Sequence, residues 1–204
     1  MDDVNPKINE DIEDEDDDAA WRVRMELYDW LQCIVTAIIC GVLIFVFIGR
    51  TIGVDGRSML RTLKHNDRVI MSNFLYEPSN GDIVVFQSPS DQFNYPLVKR
   101  VIAIEGDTID IDFDVGNVFV NGELLYEPYI NDTTTSRYNF YEPVTVPKGY
   151  VFVMGDNRNH STDSRDNTVG LVDTRYILGK VLLILIPGLD DQGDRNWDRF
   201  GFVS

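Results

Sequence analysis

The feature that most limits how this chain can fold is a run of 19 residues without a charged side chain, Trp30–Ile48. About 20 apolar residues in a helix span the hydrocarbon core of a bilayer. The run is apolar around its whole circumference, which argues against the alternative of a buried helix in a soluble protein. A cleaved secretory leader would begin with basic residues and have a shorter apolar core. The sequence therefore predicts one transmembrane signal-anchor helix over residues 21–50, which is not cleaved.

The segment before the anchor is strongly acidic. Residues 1–18 contain ten Asp or Glu residues and one Lys, so they hold more than half of the chain's net charge of −16. Such a segment cannot bury a hydrophobic core, and we predict that residues 1–20 form a disordered acidic tail. The remainder is also acidic and offers no basic face for phosphates, so we do not expect nucleic acid as a partner.

Cysteine and histidine residues are too few to build a disulfide framework or a metal site. Cys33 and Cys40 both lie in the apolar run, two helical turns apart, which is too far for a disulfide between them. The chain has two histidines, His65 and His160, which is poor support for a metal site. We therefore expect neither a metal nor an organic cofactor.

After the anchor, the sequence consists of short β-forming runs separated by turns. This pattern predicts a mainly β fold with an antiparallel, barrel-like core over residues 51–112 and 148–187. A polar, aromatic and proline-containing stretch predicts a β insertion lobe over residues 113–147, followed after the core by a C-terminal tail over residues 188–204. The clearest hairpin is Val118–Leu125, whose Asn-Gly pair fits a type I′ turn.

One of the predicted strands contains a lysine where no charge is expected. Lys99 lies in the run Leu97–Ile104, which is apolar on both faces and predicts a strand buried on both sides. Burial lowers the pKa of an ammonium group, and a neutral lysine can take the proton of a serine hydroxyl. Its neighbour Arg100 cannot, because a guanidinium keeps its proton in proteins. The alternative is that Lys99 reaches water or pairs with a carboxylate.

Two polar stretches could complete a reactive site around this lysine. Ser58 follows Gly56 and Arg57, and taken alone it has the surroundings of an ordinary loop residue. The segment Gly155–Arg165 is almost wholly polar and comes directly after an apolar run. An ordinary turn does not need so many donors and acceptors, so this segment favours a functional site.

Four motifs follow the anchor in order. They are Gly56-x-Ser58-Met59, then Gly81-Asp82-Ile83-Val84-Val85-Phe86, then Lys99-Arg100-Val101 through Gly106-Asp107, then Gly155-Asp156-Asn157-Arg158 through Ser161-x-Asp163-Ser164-Arg165. With this order and spacing, the chain resembles the type I signal peptidases of bacteria over roughly Trp30 to Ile186.

The resemblance implies a membrane-bound serine endopeptidase that removes N-terminal signal peptides from secreted preproteins, at small-x-small sites and through an acyl-enzyme. By the family pattern, Ser58 is the nucleophile and Lys99 is the general base. Ser161 would hydrogen-bond the lysine amine and orient it, and Asp163 and Arg165 would form an ion pair that holds the loop. The backbone N–H of Ser58 would donate to the oxyanion.

The resemblance also implies how the substrate binds and where the enzyme lies. An extended peptide would add a strand beside the core, and Ile52, Val54 and Val98 would line shallow pockets for its small side chains. The implied partners are the signal peptides of preproteins and the lipid bilayer, with the secretion translocon as a candidate. The protein would be single-pass in the cell membrane, with its N-terminus cytoplasmic and its catalytic domain extracellular. The cations that follow the anchor would by themselves favour the opposite orientation.

The chain departs from the family pattern at three positions. Some members carry a second oxyanion donor, a hydroxyl, where this chain has Gly56. Family members also tend to carry proline where this chain has Arg61 and Glu105. The differences at Arg61 and Glu105 remove no reacting atom, whereas Gly56 lacks the hydroxyl, so another group would have to supply the second oxyanion donor.

Three alternative functions stay open at this point. The first is a Ser-His-Asp triad, in which His160 with Asp156 or Asp163 would activate Ser58. The second is a self-cleaving Ser-Lys peptidase, although such proteins lack an anchor. The third is a non-catalytic, membrane-anchored module that binds peptides for the secretion system, and it predicts that Ser58 and Lys99 lie far apart.

Overall fold

The chain begins with one long helix. The structure, a computed structural model, describes the backbone of residues 7–190 and 192–203, and the side chains of residues 21–43, 49–190 and 192–203. Helix α1 covers Lys7–Ile48, and its apolar part, Trp21–Leu43, has 23 residues with none of them buried. At 1.5 Å per residue this part is about 34 Å long, enough for a bilayer core of about 30 Å.

The helix begins inside the segment that is predicted to be an acidic tail. The disordered acidic tail was predicted over residues 1–20, whereas α1 already begins at Lys7. The extent of the tail stays a prediction. Residues 1–6 lie outside the described part of the chain.

The remaining described residues form two antiparallel β-sheets. Their strands are β1 (Arg50–Gly53), β2 (Arg68–Ser72), β3 (Ile83–Phe86), β4 (Leu97–Ala103), β5 (Thr108–Asp112), β6 (Asn117–Val120), β7 (Glu123–Leu124), β8 (Val144–Thr145), β9 (Tyr150–Met154), β10 (Val172–Asp173), β11 (Ile177–Ile186) and β12 (Gly201–Phe202). Three short 3₁₀ turns accompany them at Arg158–His160, Thr174–Tyr176 and Trp197–Arg199.

The larger sheet has the strand order β1-β2-β11-β3-β4-β9-β10, with β12 also paired to β11. It curls into a half-barrel. Apolar side chains fill its interior from several strands, among them Val69 of β2, Val85 of β3 and Val181 of β11. The predicted mainly β fold with a barrel-like antiparallel core after one N-terminal apolar helix is confirmed.

The smaller sheet has the order β7-β6-β5-β8. The predicted hairpin joins β6 to β7, and both turn residues, Asn121 and Gly122, have positive φ angles of 55° and 81°, as a type I′ turn requires. The sheet does not have a core of its own, because Ile109 and Val118 pack with Ile102 of β4 and Phe152 of β9.

Sheet membership differs from the predicted segments at two points. Strand β5, predicted as part of the core over residues 51–112, pairs instead within the smaller sheet. The segment 188–204, predicted as a C-terminal tail, contains β12, which pairs with β11. Residues 47–204 form one compact unit, so the division into a core and an insertion lobe stays a prediction.

Candidate active site

Strand β4 places Lys99 in the interior of the larger sheet. It pairs with β3 on one side and with β9 on the other, and its burial continues through both faces. Lys99 is 3% exposed and Arg100 is 1% exposed. The apolar run therefore forms the strand buried on both sides that its sequence predicts.

Ser58 lies against Lys99 near the start of this strand. The Lys99 Nζ atom lies 2.7 Å from the Ser58 Oγ atom. Burial is the largest influence on the lysine and lowers its pKa from 10.5 to about 8, although Asp163 and Asp156 act in the opposite direction. The pair therefore joins a hydroxyl to an amine that loses its proton far more readily than a lysine in water.

The segment Gly155–Arg165, named here the polar loop, holds the turn that carries Ser58. The Asn157 N–H donates to the Ser58 carbonyl at 2.9 Å, and its side-chain amide donates to the Arg57 carbonyl at 3.0 Å. A Cβ at Gly155 would lie within 2.5 Å of the Ser58 carbonyl oxygen and would also meet the Ser161 side chain. Only glycine leaves room for this close approach of two backbone segments.

Asp163 and Arg165 form a fully buried ion pair within the polar loop. Arg165 donates from two nitrogens to the two carboxylate oxygens, each at 2.8 Å, and the Gly155 N–H donates to the same carboxylate at 3.0 Å. Burial acts to raise the pKa of Asp163, but the hydrogen bonds and charge of Arg165 outweigh it and lower that pKa. Asp163 is therefore a fixed negative charge near Lys99.

Ser161 lies beside this pair but does not make the contact expected of it. It is 2% exposed, and its hydroxyl has no hydrogen-bond partner among the described residues. Its contact with the amine of Lys99 stays a prediction.

A second buried ion pair was not foreseen. Arg100 donates to both oxygens of Asp156, at 2.9 and 2.8 Å, and the Thr62 hydroxyl donates to the same carboxylate at 2.5 Å. The pair ties β4 to the polar loop one residue after Lys99. The sequence does contain an indication of it, since an arginine in a strand buried on both sides must have a carboxylate partner.

The geometry opposes the Ser-His-Asp alternative. His160 is exposed, and no hydrogen bond joins its side chain to Ser58 among the described residues. Both candidate carboxylates are engaged elsewhere, Asp156 by Arg100 and Asp163 by Arg165.

An open cleft of about 370 Å³ leads to Ser58 and Lys99, and the three predicted pocket residues Ile52, Val54 and Val98 all line it. Strand β1 ends the sheet, and among the strands that the structure describes it pairs with β2 alone. Strand β9 pairs with β4 only from Arg100 onward, so the backbone of Leu97–Lys99 has no strand on that side among the described residues. Two unpaired backbone edges therefore border the cleft.

Comparison with known proteins identifies the family of this chain. The family model described as "Signal peptidase, peptidase S26" matches residues 27–186. The chain belongs to this signal peptidase family. It is 34% identical over 176 residues to signal peptidase I P of Bacillus subtilis subsp. natto, covering 81% of this chain and 92% of that protein. It is 35% identical over 175 residues to signal peptidase I S of Bacillus subtilis strain 168, covering 80% and 91%.

A solved structure is also similar to this signal peptidase. It is the crystal structure of a signal peptidase I from Enterococcus faecalis, which is 29% identical, with a TM-score of 0.42 and coverage of 52% of this chain and 97% of that one.

Family membership decides between the broad alternatives. The signal peptidase is a serine endopeptidase of the signal peptidase I type that cleaves signal peptides, so it is not a non-catalytic binding module. With its apolar N-terminal helix, it is a single-pass membrane protein.

Proposed function

We propose that this signal peptidase cleaves its substrate with a Ser58/Lys99 dyad. The observation that carries the proposal is the 2.7 Å contact between Lys99 Nζ and Ser58 Oγ at a site where the lysine is 3% exposed. A neutral amine at this distance can accept the serine proton, and Arg165 helps to keep it neutral by repelling the ammonium form.

The reaction proceeds in two halves. The Ser58 proton passes to Lys99 Nζ while Oγ bonds to the peptide carbonyl carbon, and the Ser58 N–H donates to the resulting oxyanion. Lys99 then gives the proton to the leaving amine as the C–N bond breaks, which leaves an acyl-enzyme. In the second half, a water gives its proton to Lys99 and its oxygen to the acyl carbon, and the proton returns to Ser58 Oγ as that bond breaks.

The supporting residues hold these two side chains in register. Asp163 and Arg165 fix the polar loop through their buried ion pair. Ser161 is proposed to steady the lysine amine, because its hydroxyl is buried beside the backbone of Ser58 and Gly155.

The substrate is proposed to bind as an extended strand in the cleft. The unpaired edges of β1 and of Leu97–Lys99 supply backbone donors and acceptors, as in other peptide-binding sheets. Ile52, Val54 and Val98 bound the space for small side chains, and larger residues would collide with them. We propose that the bilayer holds the anchor with the catalytic unit outside the cell, where signal peptides emerge beside the translocon.

Two substitutions test the dyad in the full-length, membrane-bound enzyme. We expect Ser58→Ala and Lys99→Met each to reduce preprotein cleavage by at least about 10³-fold. Matched controls are Ser79→Ala and Lys148→Met, both at exposed positions that do not line the cleft. Both controls should keep wild-type cleavage. Retained processing by the Lys99 variant would refute the proposed base.

A further inference from the structure

The polar loop is enclosed on its outer side by another part of the chain. Residues 127–139, named here the strap, connect the smaller sheet's hairpin to β8 without regular secondary structure of their own. The polar loop itself has one short 3₁₀ turn, Arg158–His160. A loop with so little internal hydrogen bonding takes its shape from its partners, and the strap supplies many of them.

Both the oxygen and the nitrogen of the Asn159 side-chain amide are hydrogen-bonded to the strap. Its Oδ1 atom accepts from the N–H groups of Thr135 and Ser136, each at 3.0 Å, and from the Thr135 hydroxyl at 3.1 Å. Its Nδ2 atom donates to the Thr133 carbonyl at 3.0 Å. One amide therefore joins the polar loop to three strap residues, and an acceptor or a donor alone could not replace it.

Arginines of the polar loop make further bonds to the strap. Arg158, which is fully buried, pairs with Glu127 and donates to the Thr134 hydroxyl at 3.0 Å. Arg165, the partner of Asp163, also donates to the Ser136 carbonyl at 2.8 Å.

Backbone hydrogen bonds and one aromatic contact also join the strap to the polar loop and to β4. The Asn131 N–H donates to the Asp156 carbonyl at 3.1 Å, and the Asn139 N–H donates to the Arg165 carbonyl at 2.9 Å. Tyr129 lies with its ring 3.9 Å from the Arg100 guanidinium. The strap therefore touches both buried ion pairs next to Lys99.

We propose that the strap is a positioning element of the catalytic site, and that Asn159 is the positioning residue through which it holds the polar loop closed over Lys99 and Ser58. The proposal rests on the Ser58/Lys99 dyad. Neither Asn159 nor the strap lines the cleft, so they act on the base and not on the substrate.

If the strap positions the base, loosening the strap should change the pH dependence of the rate, which a purely structural role would not do. Asp156, Asp163 and Arg165, the charges that act on Lys99, all belong to the polar loop. If the loop loosens, water reaches Lys99, and the burial that lowers its pKa is weakened. The amine then stays protonated to a higher pH, so the acidic limb of the rate profile moves upward. Partial unfolding would lower the rate equally at every pH.

The experiment compares Asn159→Ala with two matched variants in the full-length enzyme. Thr135→Val removes only the hydroxyl bond to Asn159 and leaves the two N–H bonds. Asn80→Ala is the same substitution at an exposed site, where the side chain donates to Asp107. The measurements are kcat and KM for a signal-peptide substrate, kcat/KM from pH 6 to 10, and the melting temperature.

For Asn159→Ala we expect kcat to fall on the order of tenfold with KM unchanged, and the acidic limb to move up by at least about half a pH unit. Both matched variants should resemble wild type. A lower rate with an unmoved limb would overturn the strap's positioning role.

If Asn159→Ala does not fold, Asn159→Asp keeps the acceptor oxygen, loses the donor to Thr133, and should show a smaller shift in the same direction. Cleavage by Ser58→Ala would instead overturn the dyad.

Discussion

At the scale of single residues, the protonation of Lys99 decides how fast the proposed site can work. Burial lowers its pKa to about 8, so at pH 7 about a tenth of the enzyme holds the neutral base. Because the active form is the deprotonated amine, it accumulates as the pH rises, and the lowered pKa brings this rise to about pH 8.

The first prediction is that kcat/KM rises with pH through an apparent pKa near 8, the value given by burial of Lys99. A pH series with a signal-peptide substrate measures it. Arg165→Lys serves as a comparison, because it keeps the positive charge near Lys99 but loses the two-pronged bond to Asp163. Loss of the rising limb in His160→Gln would point to a histidine base instead.

A second prediction concerns the missing side chain at Gly155. A methyl group there would meet the Ser161 side chain and the Ser58 carbonyl, so Gly155→Ala must move the nucleophile away from Lys99. We expect cleavage to fall by about 100-fold, the cost of a displacement near 1 Å. Gly41→Ala, where the added carbon meets nothing within 4 Å, is the matched control. Wild-type cleavage by Gly155→Ala would show that the two backbones can separate without loss.

Single residues were predictable where one strand's pattern was sufficient. Lys99 stands in a run that is apolar on both faces, so its burial follows from β4 alone. The partner of Arg100 could not be predicted in this way. Asp156 lies far along the chain, and its pairing with Arg100 depends on how the polar loop folds back. For the same reason, nothing local identifies Asn159 as the residue that bonds the strap.

At the scale of elements, the cleft depends on two strands that leave backbone edges unpaired. Val98 lies on β4 next to Lys99 and lines the cleft. Ile52 of β1 lines the same cleft. The Val98 side chain also packs against the core cluster that contains Met71 and Val85, so its position is fixed.

The third prediction is that Val98→Ala widens the selectivity of the enzyme. Removing two carbons should let substrates with a larger side chain at the cleavage site react about tenfold faster relative to those with alanine. The measurement is kcat/KM for a pair of peptides that differ at that one position. Val120→Ala, on the smaller sheet, is the control. An unchanged ratio for Val98→Ala would remove Val98 from the pocket.

Elements were predictable where their determinants are local in sequence. The β6–β7 hairpin follows from Asn121-Gly122, two adjacent residues that both accept positive φ. The sheet to which β5 belongs could not be read in this way, because its pairing with β8 closes over more than thirty residues. Composition indicates an acidic segment before the anchor, but it does not indicate where α1 begins, at Lys7.

At the scale of the whole molecule, the C-terminal segment returns to the region of the nucleophile. Arg199 donates to both oxygens of fully buried Asp67, at 2.8 and 2.6 Å, and to the Thr62 carbonyl at 3.1 Å. The Gly188 N–H also donates to Asp67 at 2.7 Å. The C-terminal segment therefore closes against the residues that follow Ser58, through hydrogen bonds to Thr62 and Asp67.

The fourth prediction concerns the stability that this closure provides. Burial acts to raise the pKa of Asp67, but Arg199 and the backbone N–H groups outweigh it and lower that pKa. A carboxyl with a lowered folded-state pKa stabilises the fold above its unfolded value of 3.8, and the stabilisation is lost as pH falls through the folded value. Arg199→Ala should cost about 3 kcal/mol near neutral pH and flatten the decline of Tm below pH 4. Arg195→Ala, whose partner is a carbonyl, should keep the wild-type decline.

The fifth prediction is the orientation of the anchor, where charge and function disagree. Positive residues follow the apolar part of α1 more densely than they precede it, which by a count of charges alone would retain the catalytic unit in the cytoplasm. Long domains cross membranes largely regardless of such charges, and a peptidase that meets signal peptides after their export must have its cleft outside. We expect protease added to intact cells stripped of their wall to digest residues 51–204 and to spare an N-terminal epitope tag. A tag cut from outside, with the catalytic unit protected, would reverse the proposed topology while leaving the Ser58/Lys99 contact untouched.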